Sequence, residues 1–357
     1  MTALSLFSGC GGDTLGMTNA GFNVVAYSEF NKPAIETHKL NFPDSVLLQD
    51  KTPDITKIPD SIFEAYKNKV DLIFAGFNCQ GFSNAGKRKI DDPRNQMYLQ
   101  FVRVVKIVKP KFFIGENVSG LTTLRSGPLD TDPLMIDKIR AAFNDIGYNI
   151  SYQIVEAVKF GVPQKRKRVI IVGWRDTFDP TTFWKSVNDT SKVLVKLRSF
   201  VTNSMEGAFE IPKENIPEDF AAYALPIAQD AMPSGTVHPF VKLKASKSDS
   251  YNEISYKTLL SCVKRISPIH SEIVDLNKPS KTIICSYDHQ PRLLVGLRKP
   301  DGTCYCRSLL PDELKQIQGF PSSYTIYGNV KDKITQIGNA VPPPIIEAVA
   351  AALKKLL

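Results

Sequence analysis

Apolar positions in the first half of the chain follow two alternating patterns. Continuous apolar runs, typical of buried strands, occupy residues 3–7, 23–28, 70–76 and 111–115, and two more strands are predicted at 149–157 and 169–173. Apolar side chains recur at helical spacing at residues 14–20, 33–40, 95–108 and 134–146. Strands that alternate with helices predict an α/β fold with a doubly wound, mostly parallel sheet, which binds ligands at the carboxyl ends of its strands.

The pattern changes near residue 175. From there prolines are frequent and the periodicity is weak, until residues 311–318 and 343–357 are again predicted to be helical. We therefore predict two domains. Residues 1–174 together with 306–357 form the first domain, and residues 175–305, with a core at about 175–275, form a second, smaller domain.

Composition narrows the class of protein. Of the 357 residues, 43% are hydrophobic and 23% are charged, which excludes a disordered chain, a collagen-like fibre and a coiled coil. The sequence has no long apolar run and no recognisable signal peptide, so we expect no membrane association. The six cysteines are scattered without a disulfide framework, which indicates a reducing, intracellular and cytoplasmic location.

The net charge of +9 and the pI of about 9.1 suit a polyanionic partner. Two segments carry much of the positive charge. Residues 163–175 contain five basic side chains and no acid, and residues 242–265 have a net charge of +4. Such segments are either solvated faces of the protein or contacts to phosphate groups.

A glycine-rich turn, Phe7-Ser-Gly-Cys-Gly-Gly12, lies between the first predicted strand and the first predicted helix. Its glycines let the backbone approach a ligand, and the helix that follows has free N–H groups. The turn is compatible with NAD, FAD, S-adenosylmethionine or no ligand, although its spacing differs from the GxGxxG of dinucleotide sites. Glu29 ends the second strand and can accept both hydroxyls of a ribose, and Phe30 can stack on an adenine.

Cys79 follows the buried strand at residues 70–76, where a parallel sheet places its chemistry. It is a candidate nucleophile, and the alternative is an inert buried cysteine. Ser83, Lys87 and Arg88 follow it and are typical of a loop that faces phosphate groups.

Two further motifs carry charged side chains. Glu116 begins the tripeptide Glu-Asn-Val at the end of the strand at 111–115, and it is either a catalytic carboxylate or a solvated acid. Arg166 and Arg168 belong to the run Gln164-Lys-Arg-Lys-Arg. On a strand they would point to the same face, where they could hold a carbonyl oxygen and a phosphate, unless the strand is simply basic and exposed.

Taken in order, these motifs resemble those of the DNA (cytosine-5) methyltransferases of bacterial or viral restriction-modification systems. The RSLLPDELKQIQGFP segment from Arg307 and the run Gly338-Asn-Ala-Val-Pro342 also match. About residues 175–275 show no match, and there the family keeps its target-recognition domain. The resemblance implies the S-adenosylmethionine-dependent methyltransferase fold and methylation of carbon 5 of a flipped-out cytosine in a specific sequence of double-stranded DNA.

The resemblance also implies a role for each catalytic residue. Cys79 would attack carbon 6 of the cytosine ring and form a covalent intermediate. Glu116 would hydrogen-bond ring nitrogen 3 and the exocyclic amine, Arg166 would hold the ring carbonyl O2, and Arg168 would assist electrostatically.

The implied cofactor is S-adenosylmethionine, with S-adenosylhomocysteine as product and no metal. Asp50 is an alternative to Asp54 for the adenine. Because two of the cofactor residues lie near the C-terminus, the last helix should return to pack on the first domain. The residues expected to bind the cofactor are Phe7, Gly9, Cys10, Gly11, Glu29, Phe30, Asp54, Ile55, Asn78, Met97, Asn339 and Val341.

Double-stranded DNA is the expected partner of a monomeric enzyme, located in the cytoplasm or, with its DNA, in a nuclear or viral context. A cognate restriction endonuclease would act on the same site. The residues expected to contact DNA are Gln80, Ser83, Lys87, Arg88, Arg94, Gln164, Lys242, Lys244, Lys264 and Arg265.

Two alternatives stay open. The family usually has proline before the nucleophile, whereas this chain has Asn78, which allows a catalytically weak or silent nucleic-acid-binding relative. The stretch from Leu40 to Thr56 is similar to the subgroup that methylates transfer RNA, but the Cys-Phe-Thr tripeptide of that subgroup does not occur here.

Overall fold

A seven-stranded sheet forms the centre of the first half of the chain. The computed structural model describes residues 1–77, 97–127, 129, 131–190, 192–237, 260–263, 271–288 and 291–357. The strands of this sheet lie in the order β3-β2-β1-β4-β5-β8-β6. Their bounds are Thr2–Leu6 (β1), Asn23–Ser28 (β2), Val46–Leu47 (β3), Leu72–Ala75 (β4), Phe112–Val118 (β5), Asn149–Glu156 (β6) and Lys167–Trp174 (β8). β1 to β5 pair in parallel, whereas β8 runs antiparallel to both of its neighbours, so the prediction of a mostly parallel sheet is confirmed.

Helices cover both faces of this sheet. Successive residues of β1 point to opposite faces, with Leu4 in one apolar cluster and Ala3 in the other. Phe101 and Phe143 pack on the first face, and Trp184 and Ile345 pack on the second. The helices are Gly12–Asn19 (α1), Lys32–Asn41 (α2), Asp60–Glu64 (α3), Met97–Val108 (α4), Met135–Asn144 (α5), Pro180–Asp189 (α6), Phe220–Tyr223 (α7), Pro311–Ile317 (α8), Val330–Asn339 (α9) and Pro343–Lys354 (α10).

The C-terminal helix returns to the first sheet. Helix α10 packs against α1 so closely that a Cβ at Gly16 would lie 2.6 Å from the carbonyl oxygen of Pro343 and 2.8 Å from Cβ of Ile346. The Asn19 side-chain amide donates to Glu347 at 3.2 Å across the same contact. This confirms the predicted return of the last helix.

A second sheet follows in the order β11-β12-β14-β15-β9, with β10 also paired to β14. Its core is shared with α8 and α9 through Leu314 and Ile337, so the second sheet is joined to the C-terminal helices. The bounds of its strands are Phe209–Glu210 (β9), Leu225–Pro226 (β10), Leu260–Cys262 (β11), Ser271–Ile273 (β12), Leu293–Arg298 (β14) and Cys304–Ser308 (β15).

A short third sheet joins the two parts of the chain. It consists of Gln164–Lys165 (β7) and Ser280–Lys281 (β13), which pair in parallel.

Two elements lie near the predicted domain boundaries. Helix α6 buries Phe183, Trp184 and Val187 in the same apolar cluster as α10. Strand β15 belongs to the second sheet, and the predicted boundary at residue 305 falls within it. No helix in the described part of the chain is long and apolar enough to cross a membrane.

Candidate active site

Two of the predicted functional segments border one edge of the first sheet. Strands β2, β1, β4 and β5 are neighbours and parallel, so their carboxyl ends lie side by side. Gly76 directly follows β4, and a Cβ placed on it would lie 3.7 Å from both Glu116 Oε2 and the carbonyl oxygen of Phe7. The glycine-rich turn after β1 and the carboxylate on β5 therefore border the same space.

The turn after β1 depends on backbone conformations that favour glycine. Gly11 has a φ of 80°, and a Cβ there would lie 2.8 Å from both the Phe42 ring and the Tyr324 hydroxyl. That hydroxyl donates to the carbonyl of Cys10 at 2.5 Å, which holds the turn from behind. Gly9 has no atom within 4 Å of its Cβ position, so this side of the turn faces open space.

Residues from the C-terminus close the back of this turn. A Cβ at Gly12 would collide with the carbonyl oxygen of Val341. The Cys10 thiol is buried, donates to the carbonyl of Gln336 at 3.6 Å, and has a raised pKa because of its burial. Asn339, the last residue of α9, is exposed. Thus the structure brings Cys10, Gly11 and Val341 together, as the resemblance implies.

Glu29 fastens the turn to the end of β2. Its carboxylate accepts the backbone N–H groups of Gly9, Phe30 and Asn31, each at 2.8 Å. Burial raises the pKa of the Glu29 carboxyl, and the three N–H donors oppose that rise. Phe30 beside it is 71% exposed. An acceptor for hydroxyl groups and an exposed aromatic ring therefore stand next to each other.

The other predicted cofactor residues have varied environments. The Asp54 carboxylate accepts from the Thr56 backbone and hydroxyl and pairs with Lys57 at 3.5 Å, while Asp50 is exposed. Ile55 is buried, and Met97 is partly buried against the same apolar cluster. The contacts do not distinguish between the two aspartates as adenine contacts.

Glu116 and Arg168 form an ion pair on adjacent strands. Glu116 lies opposite Ile170 in the antiparallel pairing of β5 and β8, which puts Arg168, two residues away, on the same face. Nε of Arg168 lies 2.8 Å from Oε1 of Glu116, and each side chain is 14% exposed. Burial lowers the pKa of Arg168, and Glu116 opposes that change. The pair therefore lies mostly buried beside Gly76, which follows β4.

Arg166 lies in a different environment from Arg168. Its side chain is only 1% exposed, and its terminal nitrogens donate to the backbone carbonyls of Ile283, Gly338 and Ala340 at 2.9–3.0 Å. Strand alternation does not continue through this position, because Arg166 separates β7 from β8. The guanidinium of Arg166 thus bonds backbone carbonyls, whereas that of Arg168 pairs with Glu116.

Gln164 lies inside the protein. Its side chain is fully buried, donates to Gln318 Oε1 at 2.6 Å and accepts the backbone N–H of Ile283 at 2.9 Å. Both ends of its amide are therefore bonded within the protein, and the predicted contact with DNA would require these bonds to break.

Several predicted residues lie outside the described part of the chain. They are Asn78, Cys79, Gln80, Ser83, Lys87, Arg88, Arg94, Lys242, Lys244, Lys264 and Arg265. Next to this gap, Asn117 Nδ2 donates to the carbonyl of Phe77 at 2.9 Å and so fixes the last described residue after β4. Among the described residues no group of three or more acidic, histidine or cysteine side chains could hold a metal ion.

Sequence reasoning missed one buried acid beneath the glycine-rich turn. Asp13, in the first turn of α1, is 1% exposed and accepts a hydrogen bond from the Ser5 hydroxyl on β1. Burial raises the pKa of Asp13 to about 7, against hydrogen bonds that lower it. The sequence signal for this buried acid was an acidic residue directly after the glycine-rich turn.

Comparisons with known proteins agree with this arrangement. The profile of a family described as C-5 cytosine-specific DNA methylase matches residues 1–355. The Type II methyltransferase M1.HphI of Haemophilus parahaemolyticus is 32% identical over 100% of this chain and 87% of its own length. The Type II methyltransferase M.NgoPII of Neisseria gonorrhoeae is 30% identical over 100% of this chain and 96% of its own length.

Solved structures share the fold. A putative DNA modification methyltransferase encoded within a prophage (E. coli) superposes with a TM-score of 0.68 at 23% identity, covering 100% of this chain and 99% of that one. The S. pombe Dnmt2 methyltransferase superposes with a TM-score of 0.62 at 15% identity, covering 100% and 98%.

Proposed function

This chain belongs to the C-5 cytosine-specific DNA methylase family, and from that premise we propose that it methylates cytosine within one specific sequence of double-stranded DNA, as the modification enzyme of a restriction system. Methylation of DNA cytosine at carbon 5 with S-adenosylmethionine is general to the family. The observation that supports the proposal most is the charged Glu116–Arg168 pair beside the end of β4, from which the chain leads to Cys79.

Carbon 5 of cytosine is a weak nucleophile, so the enzyme must add electron density to the ring. In the proposed reaction the Cys79 thiolate adds to carbon 6, and carbon 5 then takes the methyl group. Glu116 hydrogen-bonds ring nitrogen 3 and the exocyclic amine, which eases the attack. Loss of the proton from carbon 5 to solvent expels the thiolate and restores the aromatic ring.

Arg168, rather than Arg166, is proposed to hold the ring carbonyl O2. Arg168 shares a face with Glu116 and is partly exposed, whereas the guanidinium of Arg166 is bonded to three backbone carbonyls. Because Glu116 fixes the Arg168 side chain before the base arrives, less conformational entropy is lost on binding.

The residues around the glycine-rich turn fit S-adenosylmethionine. When bound, this cofactor supplies an electrophilic methyl group. Gly9 leaves open space for it, Glu29 accepts from its ribose, and Phe30 stacks on its adenine. Phe7, Cys10 and Gly11 belong to the turn, Val341 packs on Gly12, and Asn339 lies two residues before Val341. Asn78, Met97, Ile55 and either Asp54 or Asp50 complete the proposed set.

A cytosine inside a duplex cannot be attacked from above its ring, so the base must leave the stack at a cost of a few kcal/mol. We propose that the basic side chains after Cys79 and in residues 242–265 offset this cost by binding phosphate groups. The recognition domain is proposed to begin after α6, because α6 packs with the first sheet, and to include the second sheet. The enzyme is proposed to act as a monomer, with a cognate endonuclease for the same site.

Bisulfite sequencing of a plasmid from cells that express the protein tests this function. We expect protected cytosines at one recurring sequence with the wild type and none with Glu116→Gln as the matched control. Protection that is absent from DNA but found on transfer RNA would support the RNA alternative, and absence from both would support the silent relative.

A further inference from the structure

A tyrosine from the C-terminal part of the chain supports the glycine-rich turn. Tyr324 follows α8, and its hydroxyl donates to the carbonyl of Cys10 at 2.5 Å. A Cβ on Gly11 would lie 2.8 Å from the same hydroxyl oxygen. Tyr324 is 5% exposed, and its ring packs on that of Phe320 with the ring centroids 4.7 Å apart. The hydroxyl therefore reaches the turn from a buried position that is 314 residues away in the sequence.

The bond to Tyr324 fixes one peptide unit of the turn, the unit that joins Cys10 to Gly11. In a trans peptide the carbonyl and the N–H point in opposite directions. Here the carbonyl accepts from Tyr324, and the N–H of Gly11 donates to the carbonyl of Ser8 at 2.9 Å on the other side. Gly11 has a φ of 80°, and glycine allows this peptide to flip at little steric cost. The hydroxyl thus selects one orientation, because a flip would break both hydrogen bonds.

Burial keeps this hydroxyl a donor. It raises the pKa of Tyr324, and the charges that Cys10 and Asp13 can carry add to the rise. The phenol therefore holds its proton across the neutral pH range and donates it to the Cys10 carbonyl.

A buried lysine holds the backbone of Tyr324. Lys315 on α8 is 6% exposed, and its ammonium donates to the carbonyls of Ser322 and Tyr324, each at 2.8 Å. Its carboxylate partner, Asp312 at 3.1 Å, has a side chain that is 86% exposed, so solvent screens this ion pair. Because lysine is rarely buried, its two carbonyl bonds indicate that the ammonium fixes the segment that presents the tyrosine.

We propose that Tyr324 and Lys315 are positioning residues for the cofactor site. Lys315 sets the backbone of Tyr324, and the Tyr324 hydroxyl holds the Cys10–Gly11 peptide in the orientation that the cofactor meets. That the turn binds S-adenosylmethionine rests on the proposed function, whereas the support of the turn rests on the hydrogen bonds of these two residues. The support acts before and during the reaction alike, so its loss should weaken cofactor binding without slowing the chemical step.

Tyr324→Phe tests the hydroxyl alone, because phenylalanine keeps the packing of the ring. With the full-length enzyme and plasmid DNA, the KM for S-adenosylmethionine should rise about tenfold, and kcat should stay within about twofold of the wild type. The KM for DNA should not change. Calorimetry with S-adenosylhomocysteine should show its Kd rising by a similar factor.

Tyr287→Phe is the matched control. Tyr287 is 3% exposed in the same apolar cluster, and its hydroxyl donates to the Leu293 carbonyl and accepts the Leu309 N–H, both at 2.7 Å. Loss of these bonds should lower the Tm at least as much as Tyr324→Phe does and leave the cofactor KM and Kd unchanged. Equal rises of the cofactor KM in both variants would indicate general destabilisation and overturn the inference, as would an unchanged Kd in Tyr324→Phe.

Lys315→Gln tests the second residue and keeps the inference testable if Tyr324→Phe does not fold. Alone, it should raise the cofactor KM about threefold with kcat unchanged, since the hydroxyl remains but is held less firmly. In the Tyr324→Phe background it should raise the KM no further, because Lys315 acts through that hydroxyl. Additive effects, or no rise in the single variant, would overturn the role of Lys315. A wild type that binds no S-adenosylhomocysteine would instead overturn the proposed function.

Discussion

The two sheets of this protein are held together in different ways. Strands of the first sheet are mostly four to eight residues long and pack apolar side chains on both faces. The second sheet has strands of two to six residues, and a fully buried ion pair between Arg307 and Glu313 anchors it. The first sheet is thus held by apolar packing on both faces, whereas the second combines apolar packing with a buried ion pair.

That anchor also joins the second sheet to a connecting segment. Arg307 donates to the carbonyls of Thr202 and Ser204 at 2.7 and 2.8 Å, and Glu313 accepts the N–H of Thr202 at 2.8 Å. Each of these polar groups has a hydrogen-bond partner. Replacing one residue would therefore leave buried groups of the others unpaired, which costs free energy. If the sheets differ in this way, substitutions at the edge of the first sheet should lower activity, and substitutions in the second should lower the free energy of unfolding.

The largest effect is expected from Cys79→Ala. If the thiolate attacks carbon 6, this change should lower turnover by on the order of a thousandfold or more. Transfer of a labelled methyl group to plasmid DNA measures the loss. Calorimetry with S-adenosylhomocysteine should show unchanged affinity, because the thiol acts on the base.

A duplex that carries 5-fluorocytosine provides the control for this prediction. The wild type should form a stable covalent adduct with it, since fluorine cannot leave as a proton does, and Cys79→Ala should form none. Substantial turnover by the alanine variant would contradict the covalent mechanism.

The next largest effect is expected from Arg307→Met in the second sheet. Removing the guanidinium leaves Glu313 buried without its charged partner, which should lower the free energy of unfolding by about 3–5 kcal/mol. Denaturant unfolding measures the loss. Arg298→Met, at an exposed position on β14, is the matched control and should change it by less than about 0.5 kcal/mol. Equal losses of unfolding free energy in the two variants would mean that the Arg307–Glu313 ion pair does not stabilise the second sheet.

The strands of the first sheet are easier to predict from the sequence than those of the second, because the apolar patterns that mark them are local. β2 begins and ends at the predicted residues, and Glu29 follows it as expected. The sequence predicts that residues 175–305 form the second domain, whereas the apolar side chains of helix α6, within that range, lie in one cluster with those of α10, far away in the chain.

The contacts of Arg166 show the same limit within the site. Side-chain alternation places Arg166 and Arg168 together only if one strand continues through both, and the strand is interrupted at Arg166. The partners of Arg166 lie more than one hundred residues away, and a short motif carries no sign of them.

Glu29→Ala should have an intermediate effect, confined to the cofactor. Loss of a charged acceptor should weaken S-adenosylmethionine binding by about 1–3 kcal/mol. DNA affinity without cofactor should not change, because within the described part of the chain Glu29 hydrogen-bonds the glycine-rich turn and its own loop. Calorimetry measures the first quantity and fluorescence anisotropy the second. Unchanged cofactor binding would show that Glu29 only fastens the turn.

The smallest effect is expected from Asp13→Asn, and it should depend on pH. The folded protein raises the pKa of Asp13 from 3.8 to about 7, so the folded state binds this proton more tightly than the unfolded state does. Stability from this group is present at low pH and is lost as the pH rises from about 4 to about 7. Asparagine keeps an acceptor for the Ser5 hydroxyl but does not titrate. The Tm of the variant should therefore gain a few degrees on the wild type between pH 5 and pH 8, measured by thermal unfolding. Glu29 is present in both proteins, so the effect of its titration largely cancels from the difference in Tm. A constant difference across this range would mean that Asp13 stays ionised beneath the turn, and the first sheet would then hold a buried charge in the way the second does.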